Sequence, residues 1–254
     1  MISPLKDSLN DFKSLGEVQK LIPKGSVVDS YLLFGGNIEL QLAATDRFVI
    51  AHTDKFVVYE FWKSISEEAW RVADIVKRLY PLEEEKQFYV FQEHWPTYKD
   101  PAVRSAIFFL LNRCSRTGRI SSGEFSNKNF NPMAVSRLNS FVAPEALHLK
   151  FNSSEDLVES VSETTEADYK LIPAGRFNYN LLEYGINKGF ETSEVHHRKL
   201  CAALKKDKQK WVLLYKNHTY LHKLFKDFRI IKLNKYGTPV VDPALCEELI
   251  IANF

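Results

Sequence analysis

Only three cysteines occur in the 254 residues, Cys114, Cys201 and Cys246. Their number is odd, their spacing wide, and no C-x-x-C pair is present, which gives neither a disulfide framework nor a zinc pattern. Three reduced, buried thiols in a cytoplasmic protein is the expectation. Long apolar runs are missing too. The longest, Ala106 to Leu111, falls far short of the ~20 residues a bilayer-spanning helix needs, so no membrane partner is expected. The chain does not open on a basic stretch followed by an apolar one, and a secretory signal is not expected. Nor is there an excess of one charge: Lys and Arg total 34, Asp and Glu 32, for a net charge of +2. Bulk composition therefore carries no sign of nucleic-acid binding. Internal repeats are absent. With 45% hydrophobic and 26% charged residues, a globular protein remains, built as one large domain or one domain with a small appendage.

Short apolar runs alternate with helical patterns. Ser26-Val27-Val28 and Phe48-Val49-Ile50-Ala51 read as buried strands. Between them, Gly35-Gly36-Asn37 opens a short helix over Ile38 to Ala44. Val57, Val58, Phe61, Trp62 and Ile65, then Ala69, Val72, Ile75, Val76 and Leu79, recur at helical spacing. Strand, glycine turn, helix, strand is how a parallel α/β sheet begins. Near the other end, Glu194 to Lys206 and Tyr220 to Phe228 suit helices. Trp211 to Tyr215, Arg229 to Leu233 and Glu248 to Asn253 suit strands.

The middle differs. Val103 to Asn112 is an apolar helix candidate that runs into a Ser-, Gly-, Asn- and Arg-rich stretch, Arg113 to Pro132, too long for an ordinary connection. From Ser153 to Asp168 there are six carboxylates and no Lys or Arg, the composition of a solvated face or flexible link. These features divide the chain into an α/β domain over 1–100 and 165–254 and an inserted helix and loop segment over 101–164.

The order of landmarks resembles the Dam-like group of DNA adenine-N6 methyltransferases, particularly the branch common in phages and mobile elements. Leu21-Ile22-Pro23-Lys24-Gly25, Asp29 and Phe34-Gly35-Gly36 look like the family's opening motif. Tyr59 to Ile65 is similar to the segment after its second strand. Phe108 to Arg113 with Gly118 and Gly123-Glu124-Phe125-Ser126 resembles its Asn-Arg-Gly loop. Leu182-Glu183-Tyr184-Gly185, Phe190 and His197, then Trp211 to Asn217, then Tyr236-Gly237 and Glu247 to Phe254 complete the series. The resemblance implies a Rossmann-like methyltransferase fold, a mainly parallel sheet flanked by helices with an inserted DNA-contact segment. It also implies flipping of an adenine from the duplex and methylation of its amine by S-adenosylmethionine.

The chemistry that this resemblance implies is not legible in the residues. The amine is a poor nucleophile, and the family's D-P-P-Y tetrad offers an Asp oxygen, a backbone carbonyl and a stacking aromatic ring to it. The matching stretch here, Leu171-Ile172-Pro173-Ala174-Gly175-Arg176-Phe177, has no carboxylate. Phe177 or Tyr179 could stack on a base, but nothing nearby could polarise its amine. On the cofactor side, Phe34, Gly35 and Gly36 are the candidate binding residues. The ribose-capping acid is lost to His52 and Thr53 or displaced to Asp54. Tyr31, Leu32 and Leu33 crowd the approach, and Tyr31, His52 or Arg176 could plug the groove. The early Lys-Trp-x-Gly-Gly-Lys segment of the family has no counterpart before Val18.

Charge is segregated rather than balanced locally. From Arg104 to Arg137 there are five arginines and Lys128 against one acid, Glu124, and from Lys188 to Tyr236 there are 13 Lys or Arg against four acids. Arginine with Ser and Asn suits phosphate contact and some base-edge reading. The resemblance places Asn112, Arg113, Arg116, Arg119 and Lys128 against DNA. Glu194, His196 and His197 lack a third metal ligand at suitable spacing, so no metal is expected. Phe88 to Phe91 and Trp95 to Tyr98 are expected in the core, as are Trp62 and Trp211. Three functions compete: a DNA- or partner-binding pseudo-methyltransferase, alone or with an active methyltransferase subunit; a divergent active enzyme using S-adenosylmethionine; and an assembly scaffold without DNA contact. In the first, no cofactor is expected.

Overall fold

The apolar runs become the middle of one seven-stranded sheet, seen in a computed structural model that describes residues 2–6, 12–80, 82, 84–153, 156–177 and 195–254. Its strands are β1 (Val27–Ser30), β2 (Phe48–Thr53), β3 (Leu147–Phe151), β4 (Tyr169–Gly175), β5 (Lys210–Lys216), β6 (Arg229–Leu233) and β7 (Glu248–Ala252). They lie in the order β3-β2-β1-β4-β5-β7-β6. The first five are mutually parallel, and β7 runs antiparallel to both β5 and β6. This is the mainly parallel Rossmann-like α/β fold that the sequence led us to expect. β5 and β7 are buried along almost their whole length, Trp211 to Tyr215 and Glu248 to Ala252, as strands covered on both faces must be.

Helices cover both faces. They are α1 (Leu15–Leu21), α2 (Asn37–Ala43), α3 (Phe56–Leu79), α4 (Glu85–His94), α5 (Pro101–Arg113), α6 (Pro132–Asn139), α7 (Leu157–Ser162), α8 (His197–Leu204) and α9 (Thr219–Leu224). α3, α5 and α6 share the largest core cluster, built around Phe61, Trp62 and Phe108. α7, α8 and α9 share a second with Trp211 and Tyr215. α1, the Ile22 that caps it, and α2 contribute Val18, Ile22, Ile38 and Leu42 to a third. α3 breaks helical geometry at Glu68 (φ −141°, ψ 54°). Two residues earlier the Ser66 hydroxyl donates to the Trp62 carbonyl at 2.8 Å, a side-chain bond of the kind that bends helices.

Two strands differ from expectation. Leu147–Phe151 lies in the segment 101–164 expected to be inserted, yet as β3 it pairs in parallel with β2 along five residues. That segment also supplies α5 to the main core, so it is woven into the α/β body. Tyr169–Gly175, read above only for its motif, is the central strand β4, and a register shift between Pro173 and Gly175 accommodates the proline. The acidic run is not wholly solvated either. Within it, Leu157 and Val161 of α7 are buried. The buried Lys170 of β4 fastens this helix by donating to Val161 O at 2.7 Å, Glu163 O at 2.9 Å and the Asp207 carboxylate at 2.6 Å.

The three cysteines are buried and unbridged. Trp62, Trp211, Phe88 and Trp95 lie in the core, whereas Tyr89 and Tyr98 are exposed. Among the described residues, no helix is long and apolar enough to cross a membrane. The landmarks Leu182 to Gly185 and Phe190, together with Tyr179 and Glu194, lie outside the described residues.

Candidate functional site

In a parallel α/β sheet, ligands bind beyond the carboxyl ends of the strands, where the strand order switches direction. Here the chain moves outward from β1 to β2 and β3 on one side, and through β4 to β5 on the other. The switch lies between β1 and β4. The turn after β1 is pinned to both neighbours, since Tyr31 N–H donates to Leu171 O at 2.9 Å and Leu33 N–H to His52 O at 2.8 Å. Leu32 between them sits at φ +63°, a left-handed conformation that costs a non-glycine residue about 1–2 kcal/mol.

Asp29, His52 and Tyr31 meet under this turn, with Asn152 beside them. His52 Nε2 lies 2.7 Å from Asp29 Oδ1, and His52 Nδ1 lies 3.3 Å from Asn152 Oδ1. The Tyr31 ring stacks on the His52 ring at 4.8 Å and 18°. All three are sealed from solvent, at 4%, 4% and 2% exposure for Asp29, His52 and Tyr31. Burial is the largest single influence on the Asp29 carboxyl and would raise it, but hydrogen bonds from His52 and Thr165, together with the charges of His52 and Lys150, outweigh it and hold the group below the usual carboxylate range. Burial, with Asp29 nearby, pushes the Tyr31 hydroxyl far up. That hydroxyl has no hydrogen-bond partner among the described residues.

The residues expected to hold S-adenosylmethionine do other work. The Phe34 carbonyl accepts the Trp62 indole N–H at 2.8 Å. Gly35 and Gly36 are buried. Gly36 has φ +67°, and a Cβ there would lie 2.6 Å from the Trp62 ring, so the glycine makes room for an indole belonging to the chain. Asp54 is half-buried, 3.5 Å from Lys55 Nζ. The cavity bounded by Tyr31, Leu32, His52, Asp54, Asn152 and Leu157 measures about 20 Å³, room for one water. Small-molecule sites generally occupy several hundred Å³. As they stand, the described residues at the ends of β1 and β2 do not fit S-adenosylmethionine.

At the end of β4, Pro173, Ala174 and Gly175 belong to the strand and Arg176 is exposed. Arg176 therefore does not plug the groove. The Phe177 ring packs against His197 at 4.5 Å, His218 at 4.6 Å and Tyr220 at 5.3 Å. His197, at the start of α8, places Nδ1 2.6 Å from the Tyr215 hydroxyl of β5. Burial, helped by His196 and His218, lowers its pKa to about 4, so it is neutral near pH 7, and its Nε2 has no hydrogen-bond partner among the described residues. In the sequence His197 stood as a landmark of the resemblance and as a weak metal candidate, and its bond to Tyr215 was missed. The two residues are 18 apart in the chain, and only the β5–α8 packing joins them. No cluster of metal-ligating side chains occurs among the described residues.

The five residues expected to face DNA separate into two groups. Asn112 is fully buried. It accepts from Lys6 N–H at 2.7 Å and donates to Lys6 O at 2.8 Å and Gly118 O at 2.7 Å. Gly118 (φ +83°) permits that approach, because a Cβ would lie 2.7 Å from Lys6 O. Arg113 donates through Nε to Pro4 O at 2.7 Å and lies over the Phe109 ring. Burial, then Arg137, lowers its pKa to about 10. In place of the expected surface contact, Asn112 clamps the N-terminal strap 2–6 inside the fold, and Arg113 holds the same strap from a half-buried position. Arg116 and Lys128 are exposed and Arg119 is half-buried, with Arg116 paired to Glu124 at 3.1 Å.

No family model matches the sequence, and no curated protein matches it. Similar solved structures include a TehB-like SAM-dependent methyltransferase from Corynebacterium glutamicum ATCC 13032 Kitasato, at 7% identity over 95% of this chain and 86% of that one, with a TM-score of 0.39. A SAM-dependent methyltransferase from Aquifex aeolicus is similar at 9% identity over 97% and 92%, with a TM-score of 0.38. Precorrin 8w decarboxylase from Methanobacterium thermoautotrophicum is similar at 11% identity over 95% and 88%, with a TM-score of 0.35.

Proposed function

We propose that the chain is a methyltransferase-fold protein that has lost methyl transfer and uses its fold to bind double-stranded DNA, alone or beside an active methyltransferase or other protein subunit. The observation that carries this reading is the end of β4. Pro173 to Phe177 holds no carboxylate, its single charged group is the exposed Arg176, and the Phe177 ring is already packed against two histidines and a tyrosine. Transfer to an adenine amine as the D-P-P-Y tetrad performs it needs a carboxylate beside the backbone acceptor and a ring free to stack; this stretch has no carboxylate, and its ring is occupied.

The DNA side rests on charge. Arg116 and Lys128 stand exposed on the loop after α5, and Arg137 is exposed on α6. A basic surface of this kind contacts phosphates and gives salt-dependent affinity. The test is fluorescence anisotropy of the intact chain on a labelled mixed-sequence duplex across a salt series. Binding should weaken as salt rises, and Arg116→Ala or Lys128→Ala should each reduce the log–log salt slope by about 1. Binding indifferent to salt and to both changes rules out the DNA role and leaves the scaffold reading.

A further inference from the structure

We infer that the protein closes its own cofactor mouth: the stacked rings of Tyr31 and His52, anchored by Asp29, take the space of a strand-edge ligand and leave none for S-adenosylmethionine. The inference rests on the methyltransferase-fold reading above and concerns only its cofactor side.

Three observations converge on it. The turn after β1 is bonded down on both sides, through Tyr31 to Leu171 and Leu33 to His52, so these two amides are not left to face a ligand. The space over Gly36 is filled from the other direction by the Trp62 ring, whose indole N–H donates to Phe34 O. The space remaining beside the stacked rings is about 20 Å³. The same spot gathers departures that a structural region would shed: a leucine in left-handed backbone at position 32, a buried tyrosine hydroxyl without a partner among the described residues, and a desolvated Asp29–His52 pair. Such departures from local rules cluster at ligand sites. Here the site persists with side chains of the chain as its contents. In this arrangement His52 is a tethered ligand, a planar ring whose Nε2 engages the Asp29 carboxylate.

Two measurements test this. Isothermal titration of the intact chain with S-adenosylmethionine and with S-adenosylhomocysteine should give no saturable heat; saturable one-to-one binding of either overturns the inference. In His52→Gly, the emptied ring space beside Asp29 should take free imidazole, which should raise the melting temperature of the variant and not that of the wild-type chain. A folded His52→Gly protein that gains nothing from imidazole beyond the wild-type response contradicts the tethered-ligand account. If that variant does not fold, the titration of the wild type still decides. DNA binding plays no part in either readout, so saturable cofactor binding leaves the DNA reading standing, and loss of the DNA reading leaves this one standing.

Discussion

Two buried polar clusters in this protein look alike in the sequence and differ in kind. At the strap, Asn112 makes three hydrogen bonds to Lys6 and Gly118, and Arg113 donates to Pro4. At the strand-edge mouth, Asp29 and His52 pair with each other while the Tyr31 hydroxyl beside them has no partner among the described residues and Leu32 sits in left-handed backbone. The strap residues Asn112 and Arg113 were expected to contact DNA, whereas Tyr31 and His52 were expected to obstruct the cofactor groove. The strap is a satisfied brace, and such networks stabilise a fold. The mouth holds strain and an unmet polar group, the marks of a site shaped for something besides stability. Satisfaction of the polar groups, rather than their burial, tells brace from site.

The contrast can be broken or sharpened by mutation. His52→Ala should have the largest effect, because it leaves the Asp29 carboxylate buried without its partner, a loss of about 3–5 kcal/mol readable by denaturant unfolding. A pH series comes next. His197 is held at about 4 in the folded chain against 6.5 when free, so the unfolded state takes up the proton first as pH falls. Its neutral form therefore favours folding fully above pH ~6.5. That contribution is lost progressively toward pH 4, to a total on the order of 3 kcal/mol. His197→Phe should flatten this part of the stability profile, and an unchanged profile would show that His197 is not held neutral by the fold. Asn112→Ala should destabilise by about 2 kcal/mol, since it strands buried backbone groups of the strap. Tyr31→Phe is the smallest and most telling change. It removes an unbonded hydroxyl and should be neutral or stabilising by up to ~1 kcal/mol. A marked loss for Tyr31→Phe would place the mouth in the same class as the strap.

Much of this architecture was legible. Phe48 to Ala51 and Trp211 to Tyr215 are strands because apolar runs of that length fit the middle of a covered sheet. The spacing from Val57 to Leu79 gave α3. β3 escaped because His148 and Lys150 interrupt its apolar positions, as an edge strand allows, and β4 because Pro173 sits within it. The site was legible in part. Tyr31 and His52 were visible as residues that do not suit the cofactor, but their stacking depends on β1–β2 pairing. Asn112 and Arg113 were placed against DNA by the resemblance, and the strap partners that bury them lie 106 and 109 residues away, at the other end of the chain. Contacts at that separation have no local signature.

The central claim, a methyltransferase fold without methyl transfer, is tested most directly by incubating the intact chain with methyl-labelled S-adenosylmethionine and mixed-sequence duplex DNA and counting label in the DNA. The account predicts incorporation no higher than in reactions without protein. Incorporation above that background, on adenine N6, would contradict it and establish an active enzyme using groups other than those at the end of β4.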